Sequence, residues 1–445
     1  MLSLPRLPIA RCEIHKIWRR AYSDSTSDYS SIVNSSAKQS HPIHESSEPS
    51  FDPNASPWHY RIRSQADWPY LTPMQKLHHE ILAYTNWNNP TKAELHTGHQ
   101  VLNKVLHATR WNEKLSKFDV KRTDVQVYGS AAMGLRLVGG DFDIGIRLDE
   151  GADKALFLSN LARSLRHSPD VRGCFFVKKA KVPVINLLVK GAIHVDITIT
   201  PTPNYPAMIT EKVTSHMQEP SLRAARPLIL VLKSLLRARG WGLNEASQGG
   251  LSGYALTVMV LWYLKNPDVP YSFVRVLGPH TLGLVLSHFL RYFGERFPYK
   301  EYGITLEDGY EKGLVPKSSL VGTSRVPETE KFYIQCPVIP GNDLGRATRR
   351  VKEIRKIFLD TYERINAGQG LVELGFAQNA DTLGYWRRWK RPTEEVDTEA
   401  RGRRREVSEA SQTKTVPAKE SGAAEPVHKP RGKRGDATMQ ETQRP

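Results

Sequence analysis

Asp141 and Asp143 stand two residues apart in the stretch DFDIGIR, alternating with Phe142, Ile144 and Ile146. On an extended strand this alternation sends both carboxylates to one face and the apolar side chains to the other. Neighbouring acids on one sheet face repel each other unless cations lie between them. A further acid, Asp196, occurs in AIHVDITIT (192–200), where His194, Asp196, Thr198 and Thr200 oppose Ile193, Val195, Ile197 and Ile199. With VPVINLLV (182–189) and a Lys-Gly turn before it, this segment reads as the second strand of a hairpin, able to bring Asp196 beside the first pair. Three carboxylates on one sheet surface can hold two divalent ions roughly 3.5–4 Å apart, one activating an attacking hydroxyl and the other stabilising a leaving phosphate oxygen. Mg²⁺ suits such a site, with Mn²⁺ as the alternative, because it accepts a few carboxylates and completes its shell with phosphate and water. Alone, Asp-x-Asp is more often a turn or edge-strand pair; Asp196 and the glycine loop described next weigh against that reading.

Gly129-Ser130 follows the β-like run VQVY, and Ala131-Ala132-Met133 can open a helix. Glycine lets backbone amides approach a phosphate, and the serine hydroxyl adds a donor. A lone Gly-Ser marks only a turn, so its weight comes from its place just upstream of the acid pair.

The elements that must position these residues are α/β (α+β) in class. Residues 115–200 alternate in the β manner around a helix at about 152–167, the pattern of an α/β unit. Upstream, residues 74–111 have apolar residues at helical spacing, broken at Asn88-Asn89-Pro90, and read as two helices. Residues 215–365 are mostly helical. There, Pro227 suits the first helical position and Gly240 the residue past the helix end, so Lys233 and Arg237 share one face.

The chain has 445 residues, 39% of them hydrophobic, enough for more than one core. Its longest apolar candidate, LTVMVLWYL (256–264), is too short to cross a bilayer, so no membrane insertion is expected. Formal net charge is +17, which favours a polyanionic partner. Residues 391–445 carry 12 Lys/Arg against 10 Asp/Glu, so most of the excess lies upstream. Cys12, Cys174 and Cys336 have no metal-ligand spacing, which argues against structural zinc and a disulfide framework.

Residues 1–22 contain five Lys/Arg and one acid without a long apolar core, the composition of a mitochondrial presequence, with cleavage expected after Tyr22. Residues 23–73 read as a disordered linker and 366–445 as a basic, largely disordered tail. Within that tail YWRRWKR (385–391) mixes aromatics and cations in a way that suits single-stranded RNA and equally suits a basic amphipathic helix end packed on the core. RGRRR (401–405) and KPRGKR (429–434) instead leave nucleus or cytoplasm as alternatives to the mitochondrial matrix.

Taken in order, Gly129-Ser130, Gly134-Leu135, Asp141-x-Asp143 and Asp196 resemble the palm of the DNA-polymerase-β-like nucleotidyltransferases. The blocks KLHHEILAYTNWNNPTKAEL, RPLILVLKSLLRARGWGLNEASQGGLSGYALTVMVLWYL, LGLVLSHFLRYFGERF and FYIQCPVIPGNDLGRATRRVKEIRKIF are similar to the template-independent RNA branch, with its poly(A) polymerases and terminal uridylyltransferases. The resemblance covers about 75–365. It implies a mixed-sheet palm at 112–205 joined to a helical, PAP-associated central domain at 215–365, with the helical element at 74–111 packing with the central domain and the nucleotide in the cleft between palm and central domain. It also implies catalytic and metal-holding roles for Asp141, Asp143 and Asp196, and nucleotide binding by Gly129, Ser130, Asn204, Lys233, Arg237, Gly253, Tyr254 and Asn342. Arg237 stands where the family usually has Lys, and Gly253 where relatives often have Ser. Uridylyl-specific relatives place His at Asn342 and acids at Cys336 and Ile339, so this chain is expected to prefer ATP, a site built to pair with one base edge losing discrimination when the paired group is gone.

The function so implied is that of an RNA 3′-end adenylyltransferase, a poly(A) polymerase acting on RNA 3′ ends with ATP, in mitochondria, with a protein partner for target choice. The alternatives are a terminal uridylyltransferase, an oligoadenylate synthetase, and a catalytically silent RNA-binding scaffold. The intact acid triad argues against the last, and the helical blocks argue against CCA addition.

Overall fold

The computed structural model describes residues 65–376 apart from 181, 191–192, 241, 267–280, 308, 310 and 321–329, together with Trp58, His59 and Ile62. The presequence, YWRRWKR and the two basic clusters lie outside the described residues.

Helix α1 (Pro73–Trp87) and helix α2 (Lys92–Trp111) each begin at a reciprocal capping box, Thr72 with Gln75 and Thr91 with Glu94. Such a box satisfies two otherwise orphaned backbone donors. The palm follows as β1 (Val125–Tyr128), a single turn α3 (Gly129–Ala132), β2 (Phe142–Ile146), α4 (Lys154–Arg166), β3 (Val171–Val177), β4 (Val184–Val189) and β5 (Ile193–Ile199). The five strands form one sheet in the order β1-β2-β5-β4-β3. Only β2 and β5 run parallel; β1–β2, β5–β4 and β4–β3 are antiparallel. One face, carrying Phe142, Ile144, Ile146, Ile185, Leu187, Val195 and Ile197, is buried with α2 and α4 in the palm's own core.

Helix α5 (Tyr205–Met217) leads into α6 (Ala225–Arg239), α7 (Gly253–Lys265), α8 (Thr281–Arg291), a small hairpin β6 (Tyr302–Ile304) with β7 (Leu314–Pro316), and α9 (Val351–Asn366). These helices share a second core with α1, and Met133 and Leu135 from the loop after α3 insert into it.

The sequence reading needs four corrections. The upstream helices divide: α1 packs in the helical core, whereas Val101, Leu102, Val105 and Ala108 of α2 belong to the palm. Helical periodicity marks a buried face without saying which partner buries it. Pro227 is the third residue of α6 rather than the first, still within the turn whose N–H groups have no intrahelical acceptor, so its missing N–H costs no bond; Gly240 does follow the last helical residue, Arg239, in an extended conformation. The hairpin β6–β7 interrupts the helical region because three-residue strands are too short to display a period of two. Finally, the linker and tail contribute to the core: Trp58, His59, Leu371, Leu374 and Phe376 are buried. Averaged composition hides such isolated anchors among polar neighbours.

Candidate active site

The sheet register assembles the acids. Asp143 on β2 lies directly opposite Asp196 on the parallel β5, so both carboxylates leave the sheet on the face away from the palm core. Asp141, one residue before β2, is exposed at its entrance and raises the proton affinity of both. Burial, then Asp196 and Asp141, push Asp143 up to about 7 against the pull of Lys233. Asp196 is also raised by burial, while a hydrogen bond from Asn186 Nδ2 to its Oδ1 at 2.7 Å favours the ionised form. Among the described residues these acids do not close a preformed metal cage. The donor set is nevertheless all oxygen, partly buried and electrostatically frustrated. That fits Mg²⁺, which leaves part of its shell to water and substrate phosphate.

Gly129 is bound to this geometry by its conformation. Its φ is +68°, and a Cβ there would stand 2.5 Å from Asp143 Oδ2, so no side chain fits at the turn from β1 into α3. The Gly129 N–H donates to Thr210 Oγ1 on α5 at 3.2 Å, and the Ser130 carbonyl accepts Leu135 N–H at 2.8 Å. The loop is thereby fixed against both the acids and α5.

From the helical side, Lys233 on α6 donates to the Leu135 carbonyl at 2.7 Å. Burial lowers its pKa to about 8; Asp143 opposes the shift, while Arg237 and Arg136 add to it. Arg226, two turns earlier on α6, donates to the Gly134 carbonyl at 3.0 Å and to Asn89 Oδ1 at 2.7 Å. Two cations of one helix therefore hold the carbonyls of two consecutive palm residues. Arg237 is exposed and lines a small cavity with Tyr84, Trp87, Asn88 and Phe376.

Gly253 opens α7 beside Lys233: a Cβ on it would lie 3.4 Å from Lys233 Cε. Tyr254 follows, half-buried, with its hydroxyl 3.5 Å from Cys336 Sγ. The Cys336 N–H donates to the Asn342 carbonyl at 2.9 Å, and the Asn342 side chain is exposed. Tyr254, Cys336 and Asn342 thus form one continuous wall next to Lys233. Asn204 lies on the palm side, capping α5 through the Ala207 N–H at 3.3 Å and reaching Gln126 at 3.3 Å.

The sequence reading missed Asn186, Arg226 and Thr210. Asn186 had a signal, being the one polar residue of VINLLV opposite Asp196 in the hairpin. Arg226 and Thr210 had none, because their partners are backbone groups distant in the chain.

A mixed sheet with in-register acids, a glycine turn against one of them and a helical domain supplying cations is the architecture of a nucleotidyltransferase palm and its central domain. Residues 77–202 match the family described as poly(A) RNA polymerase, mitochondrial-like, central palm domain. Poly(A) RNA polymerase protein 1 of Saccharomyces cerevisiae is 28% identical over 322 residues, covering 69% of this chain and 45% of the yeast protein. The chain therefore spans less than half the length of that relative. Among solved structures, the polymerase core of TRAMP, an RNA surveillance complex, superimposes with a TM-score of 0.59 at 21% identity, over 74% of this chain and 98% of that one. A histidine-to-asparagine mutant of the Cid1 poly(U) polymerase bound to MgATP superimposes with a TM-score of 0.51 at 18% identity, over 66% of this chain and 94% of that one. Over residues 77–202 the palm is that of a poly(A) polymerase-type nucleotidyltransferase, and the chain is similar over a longer stretch to members of the poly(A) polymerase and terminal uridylyltransferase branch.

Proposed function

We propose that the protein is an RNA 3′-end adenylyltransferase that extends RNA with AMP from ATP without a template. The observation that carries this reading is the in-register pair Asp143 and Asp196, with Gly129 against the first and Lys233 reaching the same site. Asp141, Asp143 and Asp196 would hold divalent cations, Mg²⁺ or Mn²⁺, which when bound neutralise the acids and offset charge on the phosphates. Tyr254 stacks on the base, and Lys233 and Arg237 supply positive charge to the triphosphate. Asp196, oriented by Asn186, faces the primer, so the RNA 3′-oxygen is aligned to attack the α-phosphate as the α–β phosphoanhydride bond breaks and pyrophosphate leaves.

Preference for ATP rests on Asn342. Its side chain is exposed at the wall beyond Tyr254 and supplies no imidazole to a base edge. Action in the mitochondrial matrix is supported by the basic composition of residues 1–22 and by the description of the matched palm family as mitochondrial-like. Target choice would fall to a protein partner, as the TRAMP likeness suggests.

The test is extension of an end-labelled single-stranded RNA with Mg²⁺ or Mn²⁺ and each nucleotide, alone and in competition. Long ladders with ATP, lost in Asp196→Ala, are expected, and Asn342→His should raise the UTP share. Sustained tailing by Asp196→Ala, or no extension with any nucleotide, would refute the assignment; ladders mainly with UTP would overturn the base preference. A reporter fused to residues 1–40 tests import, and nuclear or cytosolic signal would overturn the location.

A further inference from the structure

The row of residues that contains Asp143 and Asp196 crosses the whole sheet. Tyr128 pairs with Asp143, Asp143 with Asp196, Asp196 with Asn186 and Asn186 with Phe175. Direct partners in neighbouring strands share a face. The row therefore runs from β1 through the acids to the edge strand β3 on the side away from the palm core. At the other edge, β1, the row is closed by a hydrogen bond between Tyr128 and Thr198 at 2.7 Å. Its end at β3 is open: Phe175 is 69% exposed, although the opposite face of β3 and β4 is buried through Cys174, Ile185, Leu187 and Val189.

Phe175 is also shaped and charged as a platform. A Cβ on Gly173 would come within 3.3 Å of Phe175 Cε2, so the ring leans along the strand over a position kept free of side chain. Val177 is exposed on the same face, Leu188 and Val184 are half-buried beside it, and Arg172, Lys178, Lys179 and His194 are exposed around this end of the sheet. An exposed aromatic among cations matches the chemistry of single-stranded nucleic acid, whose bases stack and whose phosphates need neutralising. Lysines next to an edge strand discourage pairing with another protein strand, so the same charges disfavour strand addition here.

We propose that Phe175 is a stacking platform for a base of the RNA 3′ segment upstream of the terminal nucleotide, with Lys178 and Lys179 neutralising the adjoining phosphates. The inference rests on the reading that the primer 3′ end lies at Asp196. Two strand spacings, about 10 Å, separate the backbone of Phe175 from that of Asp196, placing the platform along the RNA and outside the reacting centre. Stacking on any base would grip RNA without reading sequence.

The test compares the full chain with Phe175→Ala and Phe175→Trp by fluorescence anisotropy on a labelled single-stranded RNA, without nucleotide or divalent metal. Phe175→Ala should bind roughly 5- to 100-fold more weakly, Phe175→Trp should bind like the parent, and the KM for ATP at saturating primer should not move. A scan with one abasic nucleotide at each of the last several positions should find a position that weakens the parent and leaves Phe175→Ala unaffected. Equal RNA affinity of Phe175→Ala and the parent would overturn the platform and turn attention to a protein contact at β3. So would weakening in Lys178→Gln and Lys179→Gln with none in Phe175→Ala, which would leave only electrostatics. Because binding is read without ATP, a chain that bound RNA through Phe175 yet never extended it would sink the proposed activity and spare the platform.

Discussion

Lys233 of the helical domain donates to the carbonyl of Leu135 in the palm at 2.7 Å, and Arg226 of the same helix donates to the preceding carbonyl, Gly134, at 3.0 Å. This clamp fixes the loop after the glycine turn, and with it Gly129 against Asp143. Arg226 is only 7% exposed, and its guanidinium donates to the Gly134 carbonyl and to Asn89 across from it. Arg226→Met keeps the bulk but strands both acceptors. It should cost about 2–4 kcal/mol in denaturant unfolding and reduce extension more than the stability loss explains. A stability change below about 0.5 kcal/mol would mean that the clamp carries no weight.

Asp143 makes the metal-free protein sensitive to pH. Its folded pKa, about 7, lies above the ordinary 3.8. The folded state therefore holds a proton that the unfolded chain has released, and stability present below pH ~4 is lost as pH rises through ~7. With chelator present, the melting temperature should fall between pH 5 and 8, and Asp143→Asn should flatten that slope. Added Mg²⁺ or Mn²⁺ should restore more stability at pH 8 than at pH 5.5, since bound cations replace the proton. A parent slope equal to that of Asp143→Asn would show that the acids are not electrostatically coupled.

Much of this site was legible in the sequence because its signals are local. The alternation around Asp143 and Asp196 fixed which side chains share a face, and the turn between β4 and β5 fixed the hairpin; the structure adds the parallel pairing that sets the two acids opposite each other. Illegible were contacts between side chains and distant backbone carbonyls, such as Arg226 with Gly134, since carbonyls carry no residue identity. The split of α1 and α2 between two cores was hidden for a similar reason: both present an apolar stripe, and neither stripe names its partner.

Asn186 is a positioning residue for Asp196. Its amide occupies one carboxylate oxygen at 2.7 Å from the directly opposed position on β4, leaving the other oxygen for the site. Asn186→Ala should lower kcat by roughly 10- to 100-fold, the usual cost of losing a hydrogen bond behind a metal-holding group, with little change in KM for ATP. It should also raise the pKa of Asp196, since the lost bond favours the ionised form, and so move the acidic limb of the rate profile to higher pH. An unshifted profile would reduce Asn186 to packing.

Glu80 ties the ends of the described chain to the middle of α1. Its carboxylate is 2% exposed and meets His59 Nε2 at 2.7 Å through one oxygen, while the other accepts the Leu371 N–H at 2.6 Å. Gly370 passes so close that a Cβ there would lie 2.2 Å from Glu80 Oε2. Around this staple, Trp58 and Phe376 both pack edge-on against Tyr84, whose hydroxyl bonds to Ser234 on α6, the helix of Lys233. Glu80→Ala would leave a buried N–H and a buried imidazole without this acceptor and open a void between α1 and Gly370, at a cost of about 3–5 kcal/mol. The effect should be local first: faster amide exchange at Leu371 and earlier proteolysis near residue 370, with the palm strands still protected. Glu80→Gln retains an acceptor for Leu371 and should lose less. If Glu80→Ala melted the palm and the helical core together, with no early exchange at Leu371, the staple would belong to one cooperative unit and would not serve as a latch on the ends.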